Sequence, residues 1–241
     1  MGYRESRAPG RWAALVEAAW TASAPPHGAA PERPILPDGC MDIVWTGTDL
    51  VVAGPDTAPH PHRRSPGRAA CGLRFAPGRL PALLGVPAAA LRDRRVPLAD
   101  LHPAAARSAA GRLADAADDP RTALGVLLDV ARALPTAPLD PAVPALAARL
   151  GSPGAAGASV AALAAEIGWT TRTLHRHSLA AFGYGPAVLR RVLRFRRATA
   201  LLAAGVAPAE VAARAGYADQ PHLSREVRAL GGASPRRFAP A

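Results

Sequence analysis

The most constraining feature of this sequence is an internal repeat in its C-terminal part. Residues 159–176, SVAALAAEIGWTTRTLHR, and residues 208–225, PAEVAARAGYADQPHLSR, each have the pattern of a helix, a glycine turn and a second helix. Identical residues past the turn recur at an offset of 49, which indicates a duplicated unit. The identical pairs are Leu174 and Leu223, Arg176 and Arg225, Gly183 and Gly232, and Pro186 and Pro235.

Each copy contains the residues that a helix-turn-helix unit needs. A small residue lets the two helices approach, and glycine adopts the left-handed conformation that costs other residues energy. An aromatic residue follows the glycine, and a leucine anchors the second helix inward. These residues are Ala164, Gly168, Trp169 and Leu174 in the first copy, and Ala212, Gly216, Tyr217 and Leu223 in the second.

The second helix of each copy leaves polar side chains free to point outward. Ser159 predicts the start of the first helix, Thr170 or Thr171 the start of the second, and Asp219 the start of its counterpart. Arginine can pair with guanine and glutamine with adenine in the major groove. The outward residues are Arg172, His175 and Arg176 in the first copy, and Gln220, His222, Ser224 and Arg225 in the second.

A helix that begins at Pro186 and ends before Gly205 joins the two copies. At 100° per residue, one face is expected to be apolar and the opposite face basic. Leu201 interrupts the basic side, which predicts that the second unit packs there. The apolar face comprises Val188, Val192, Phe195, Thr199 and Leu202, and the basic face comprises Arg190, Arg194 and Arg197.

Two motifs of this region, LRRVLRFRRATALLAAG and GYADQPHLSREVRALGGASPRRF, resemble the DNA-binding domain of AraC-family transcription regulators over about residues 158–240. The resemblance implies double-stranded DNA as partner and base reading by the outward residues above, together with Pro221. Proline has no amide hydrogen and would stiffen the first turn instead of reading a base. Phosphate contacts are expected from Thr170, Thr171, Arg190, Arg194, Arg197 and Arg236, with a solvated face as the alternative for the arginines, Arg237 included.

The distribution of charge agrees with a polyanionic partner. The chain has 241 residues and a net charge of +11, and all of its basic residues are arginines. Residues 152–241 hold 12 Arg against 4 acidic residues, a net +8, whereas residues 1–151 hold 17 against 14, a net +3. The basic excess therefore lies mainly with the duplicated unit, as expected for binding of nucleic acid.

The N-terminal part predicts an α+β domain, a small β-barrel or sheet plus helices. The pattern predicts a hairpin whose strands lie within residues 35–45 and 49–55 and whose turn lies at residues 46–49. A further strand is predicted over residues 71–75. Residues 12–22 fit either a strand or a helix. Helical patterns follow from residue 79, with longer ones near 100–117, 120–133 and 141–150, the second capped by Asp119. We expect a domain over 1–150, a flexible linker over 151–157 and an all-α double helix-turn-helix domain over 158–241.

The N-terminal part is also similar to a poorly characterised domain that precedes this DNA-binding domain in some AraC-family members. PDGCMDIVW, VAGPDT, GLRFAPG and LRDRRVPLADL carry the similarity. It implies sensing of a small-molecule effector, or formation of a homodimer.

The two cysteines raise an alternative function. Cys40 or Cys71 could serve a cysteine alkyl-acceptor or a thiol sensor, or could bind a metal together with His60 and His62. Buried apolar cysteines are the simpler interpretation, because both lie in β-rich, apolar stretches. Two cysteines without CxxC spacing also do not supply the zinc-tuned cluster that an alkyl acceptor needs. No nucleophile elbow, phosphate-binding loop or HExxH motif is present. We therefore expect a non-enzymatic cytoplasmic regulator with no cofactor and no membrane association.

Overall fold

The computed structural model describes residues 2–8, 10–23, 34–61, 67–117, 119–135, 138, 140–155 and 157–240. Its N-terminal part contains a six-stranded sheet in the order β1-β2-β5-β3-β4-β6, in which every neighbouring pair is antiparallel. The strands are β1 (Tyr3–Ser6), β2 (Val16–Ala22), β3 (Met41–Trp45), β4 (Leu50–Ala53), β5 (Ala70–Phe75) and β6 (Arg95–Pro97).

The two faces of the sheet differ in chemistry because side chains alternate along each strand. Ile43, Leu73 and Phe75 are fully buried on the face that the helices cover. On the opposite face, the register places Asp42 beside Arg74 and Val44 beside Gly72. We call this second face the open face of the sheet.

Helices of the N-terminal part pack on the covered face. They are α1 (Leu80–Leu84), α2 (Ala88–Leu91), α3 (Leu98–Leu101), α4 (Pro103–Asp115) and α5 (Pro120–Ala133). Asp119 caps α5 by accepting a hydrogen bond from the Arg121 amide at 3.0 Å. Leu127 of α5 and Leu113 of α4 are buried in the same core as the strands.

The C-terminal part is helical. Its elements are α6 (Ala142–Gly151), α7 (Val160–Glu166), α8 (Thr171–Phe182), α9 (Pro186–Ala203), α10 (Pro208–Ala215) and α11 (Gln220–Gly231). Short 3-10 turns at Pro153–Ala155 and Pro235–Arg237 complete it. No helix in the described part is long and apolar enough to cross a membrane.

The long helix α9 contributes to two hydrophobic cores. Leu189 and Leu193 pack with α6, α7 and α8, whereas Phe195 and Leu202 pack with α10 and α11. Leu201 packs at the edge of the second core, as its place in the sequence predicted. Val188 is 41% exposed, contrary to the apolar-face prediction, because the buried face of α9 runs through Pro186, Leu189 and Val192 instead.

Most predicted elements are present, and the α+β fold class followed by a helical domain is confirmed. The hairpin over β3 and β4, the strand β5 and the helices α4, α5 and α6 lie where the sequence placed them. Residues 12–22 resolve into a 3-10 turn at Gly10–Ala14 followed by β2. The edge strands β1 and β6 were not predicted, because short edge strands lack the alternating apolar pattern.

The N-terminal and C-terminal parts contact each other directly. The Tyr184 hydroxyl donates to the Asp56 carbonyl at 3.2 Å, and the Arg92 guanidinium donates to the Gly183 carbonyl at 3.2 Å. On α9, Arg196 forms an ion pair with Glu17 of β2. These contacts join the connection between α8 and α9, and α9 itself, to the N-terminal part.

Candidate nucleic-acid interface

The two predicted helix-turn-helix units have matching turns. Gly168 and Gly216 both adopt positive φ, at 69° and 82°. The amide of the following aromatic residue then returns to the first helix: Trp169 donates to the Ala164 carbonyl at 2.9 Å, and Tyr217 to the Ala212 carbonyl at 2.8 Å. The duplicated sequence has therefore folded into duplicated backbone geometry.

Side-chain caps fix the start of each second helix. Thr170 accepts a hydrogen bond from the Thr173 amide at 3.1 Å, so it is the N-cap of α8 and Thr171 is its first residue. Asp219 accepts a hydrogen bond from the His222 amide at 2.6 Å and caps α11. Such caps stabilise a helix by about 1 kcal/mol.

The residues proposed for base reading lie on one side of α8 and α11. Leu174 and Leu223 are fully buried and hold the opposite side of each helix against its unit. Six residues of the set are exposed, namely Arg172, His175, Arg176, Gln220, Pro221 and Arg225, whereas His222 and Ser224 are half-buried.

The two histidines of this set have neighbours inside the chain. The His222 ring stands edge-on to Tyr217 with ring centroids 5.2 Å apart, and its Nδ1 accepts a 3.4 Å hydrogen bond from the Ala218 amide. The His175 ring lies against Gly185, where an added Cβ would meet its Nε2 at 2.8 Å. His222 therefore supports the turn of its own unit.

On the predicted basic face of α9, Arg190 and Arg194 have partners within the chain. Arg190 donates to the Ala155 carbonyl at 3.1 Å and also to the Ala158 carbonyl. The Arg194 guanidinium lies 4.5 Å from the centroid of the Tyr217 ring and 3.8 Å from Glu226. These contacts brace the segment before α7 and the second unit against α9.

The remaining candidates for phosphate contact differ in exposure. Arg197 is half-buried on α9, and burial lowers its pKa. Arg236 and Arg237 are exposed in the 3-10 turn that follows α11. Arg191, which the sequence did not single out, forms a 2.7 Å ion pair with Glu226. Arg191 lies three residues before Arg194, on the same side of the helix, and both arginines meet the same carboxylate. This i, i+3 spacing is the feature of the sequence that could have identified Arg191.

A cleft lies between α8 and α2, two helices that also contact each other. The exposed Pro87 and Ala89, at the start of α2, line it together with Arg172, His175 and Arg176. Its volume is about 540 Å³. One side of α8 thus faces α2 across this cleft.

A larger cavity of about 1870 Å³ lies between the open face of the sheet and α9. Trp20, Asp42 and Arg74 line it from the sheet, and Arg196 and Phe238 line it from the C-terminal part. Thr199, Ala200 and Ala203 of α9 also face it, as expected for residues spaced i, i+3, i+4 and i+7 from Arg196. The sequence did not predict this site, because its residues come from segments that are far apart in the chain and meet only through strand register.

The cysteines lie in surroundings that suppress thiolate formation. Burial raises the pKa of the Cys71 thiol to about 12. Burial, together with Asp38 and Glu17, raises the pKa of the Cys40 thiol well above its usual value. The thiolate is the reactive form of cysteine, so neither thiol is activated at neutral pH. His62 lies outside the described residues, within which no cluster of three or more His, Cys, Asp or Glu could hold a metal ion.

Comparison with known proteins agrees with the geometry of the C-terminal part. Residues 163–240 match a family described as "Helix-turn-helix domain", of the AraC type, and residues 6–97 match "Domain of unknown function (DUF6597)". No curated protein matches the chain.

Solved structures that align with this chain include two of ToxT from Vibrio cholerae. An apo variant from strain SCE256 is 12% identical, with 93% of this chain and 96% of that chain covered at a TM-score of 0.50. ToxT from strain O395 is 9% identical, with 91% and 95% covered at a TM-score of 0.49. At 12% identity, the first likeness shows a shared fold alone.

The two family matches together span more than two thirds of the chain. The first covers both turns, both capped second helices and the long helix between them. The chain thus combines a DUF6597 domain with an AraC-type helix-turn-helix domain, as its sequence resemblance predicted.

Proposed function

We propose that this chain is a sequence-specific DNA-binding transcription regulator of the cytoplasm, controlled by a small-molecule effector through its N-terminal part. The observation that carries the DNA-binding proposal is the pair of matched helix-turn-helix units fixed to one helix, α9, each with polar side chains exposed on its second helix. An AraC-type helix-turn-helix domain is a DNA-binding domain, and the net charge of +8 over residues 152–241 supports a polyanionic partner.

Bases are read by α8 and α11 in this proposal. Arg172, His175 and Arg176 enter one major groove, and Gln220, Ser224 and Arg225 enter the next, with His222 beside them. Arginine contacts guanine O6 and N7, and glutamine contacts adenine N6 and N7. Pro221 takes no part in hydrogen bonding, since its nitrogen carries no hydrogen.

The length of α9 agrees with simultaneous binding by both units. Its 18 residues span about 27 Å at 1.5 Å per residue. Recognition helices at the two ends can therefore reach major-groove segments separated by about one turn of DNA, roughly 34 Å.

We assign phosphate contacts first to exposed groups near the recognition helices, namely Thr171, the N-cap Thr170 and the arginines Arg236 and Arg237. Arg197 is a further candidate. Arg190 and Arg194 would have to give up intramolecular partners to reach a phosphate, so we rank them last.

The effector site in this proposal is the cavity between the open face of the sheet and α9. Its walls come from both parts of the chain, with Asp42 and Arg74 on one side and Arg196 and Phe238 on the other. A molecule bound there contacts the helix that sets the spacing of the two recognition helices. Occupancy of the cavity can therefore change DNA binding without contact between effector and DNA.

Selection of bound fragments from genomic DNA, repeated over a range of salt concentrations, tests the DNA-binding proposal. We expect a recurring site with two half-sites about one helical turn apart. Affinity should fall steeply with salt, because each neutralised phosphate contributes about −0.9 to the slope of log K against log salt. Fragments without a shared sequence, or a flat salt response, would contradict the proposal.

Pairing of two chains stays a prediction of the family resemblance. Sedimentation of the full chain, alone and with the selected DNA, measures it directly. A dimer predicts two copies of the site in the DNA that is bound most tightly.

A further inference from the structure

The floor of the cavity, which is its wall on the open face of the sheet, combines an aromatic ring with a carboxylate. The Trp20 indole lies over Gly72, where an added Cβ would meet its ring atoms at 2.5 Å. Its Nε1–H donates to Asp42 Oδ2 at 2.8 Å. Tyr3 adds a second ring, with its centroid 5.9 Å from that of Trp20. Aromatic faces next to a carboxylate are a common setting for binding organic cations.

Three carboxylates surround one guanidinium at this floor. The Nη1 of Arg74 is 2.8 Å from Glu5, and its Nε is 3.4 Å from Asp38 and 3.7 Å from Asp42. With all of these groups ionised, this cluster has two negative charges more than positive charges. The Asp42 side chain is only 15% exposed, so water compensates little of its charge, whereas Asp38 and Glu5 are 29% and 43% exposed.

Two half-buried arginines of the cavity wall already have acidic partners, whereas Arg107 of α4, which also lines the cavity, is exposed. Arg95 forms two hydrogen bonds with Asp56, at 2.8 and 2.7 Å, and Arg196 pairs with Glu17. An anionic ligand beside Arg95 or Arg196 would have to break one of these pairs. A cationic ligand would instead neutralise part of the negative charge around Arg74, which the described residues leave uncompensated.

We propose that the effector is an amphipathic organic cation, whose ammonium or amidinium group lies against Asp42 and Asp38 beside Trp20. Its apolar body extends over Val44 and Val51 of the open face towards Ala200 and Ala203 of α9. This inference rests on the proposed function, in that it uses the same cavity and names the class of molecule that fills it.

The ionisation of Asp42 gives the proposal a pH signature. Burial raises the pKa of Asp42 to about 7; Asp38 raises it further, whereas Arg74, Trp20 and Arg95 act in the lowering direction. Cys40, Glu17 and Arg196 form the neighbouring group on the side of β2 and α9. A bound cation favours ionised Asp42, so binding should release protons and strengthen as pH rises from about 6 to 8. An anionic ligand would take up protons and show the opposite trend.

Isothermal titration of the full chain with three probes of matched size tests the ligand class. The probes are phenylpropylamine, phenylpropionate and phenylpropanol, each titrated in two buffers of different ionisation enthalpy. We expect phenylpropylamine to bind at least tenfold more tightly than the other two, with proton release near pH 7. Tighter binding of phenylpropionate, proton uptake with the amine, or no binding of the amine would overturn the proposal.

Two isosteric substitutions locate the binding site. Asp42→Asn keeps an acceptor for the Trp20 indole and should weaken amine binding at least tenfold. Asp49→Asn removes a carboxylate from the exposed turn at the rim of the same cavity and should leave affinity unchanged. Equal effects of the two substitutions would refute the assignment. If Asp42→Asn does not fold, the three probes and their proton linkage still decide the question.

These measurements need no DNA, so their outcome is independent of the DNA-binding proposal. If phenylpropionate bound instead, the cavity would remain an effector site and only the ligand class would be wrong. If the amine bound as expected but the chain did not bind DNA, the regulator proposal would fail and the cation-site proposal would stand.

Discussion

Arg225 and Arg228 lie on the same helix and are both exposed, yet only Arg225 lies in the part of α11 that is expected to reach base edges. Arg225→Ala should lower affinity for the selected site by about 1 to 3 kcal/mol and relax preference at one base pair, as loss of a bidentate contact to guanine does. Arg228→Ala, in the last turn of the helix, is the matched control. Binding titrations with the selected site and with random DNA separate the effects, since an equal loss on both would make Arg225 a phosphate contact.

Gly72 shows how a single residue shapes the cavity floor. An added Cβ would lie 2.5 Å from Trp20 ring atoms, so Gly72→Ala should cost about 1 to 3 kcal/mol in unfolding free energy. Gly111, exposed in α4 with no atom within 4 Å of an added Cβ, is the control. Gly111→Ala should stabilise the chain by about 0.5 to 1 kcal/mol. Urea unfolding measures both, and a neutral Gly72→Ala would mean that Trp20 is free to move.

Residues with local roles could be predicted from the sequence, and residues with long-range roles could not. The cap Asp219 and the anchor Leu223 follow from spacing within one unit, because their contacts lie within a few residues. Trp20, Asp42 and Arg74 meet only through strand register, since β2, β3 and β5 are far apart in the sequence. No periodicity in a single segment encodes that meeting, which is why the cavity was missed.

At the scale of elements, α6 indicates where the C-terminal unit begins. Leu146 and Leu150 of α6 are 2% exposed, and they lie in one core with Leu163 and Leu189. Arg149 also pairs with Glu166 of α7 at 2.9 Å. The predicted division at residues 151–157 stays untested, and we propose that α6 folds with the first helix-turn-helix unit. The sequence predicted the helix but not its partner, because an apolar stripe does not specify which neighbour covers it.

Two C-terminal fragments test this assignment. A fragment over residues 138–241 should unfold cooperatively at a higher temperature than one over 158–241, which lacks Leu146 and Leu150. Each lost leucine removes about 1.5 to 3 kcal/mol of burial. Circular dichroism on heating measures both fragments. Equal midpoints would place the boundary at residues 151–157, as the sequence alone suggested.

At the scale of the whole molecule, the two units differ in what lies beside them. Pro87 and Ala89 of the N-terminal part share a cleft with Arg172, His175 and Arg176 on α8, whereas the outward residues of α11 do not line that cleft. The major groove of DNA is only about 12 Å wide, so a helix that enters it brings the flanking phosphates close to neighbouring elements. Docking of the first unit on DNA should therefore depend on how closely α2 approaches α8.

Ala89→Trp tests that dependence in the full chain. The indole should occupy much of the cleft of about 540 Å³ and weaken binding to DNA that contains the first half-site at least fivefold. Ala90→Trp is the control, because Ala90 is exposed on the same helix but does not line the cleft. Titrations with DNA that carries only the first or only the second half-site assign the effect to one unit. Equal weakening at both half-sites, or none, would show that α2 does not limit access of α8 to DNA.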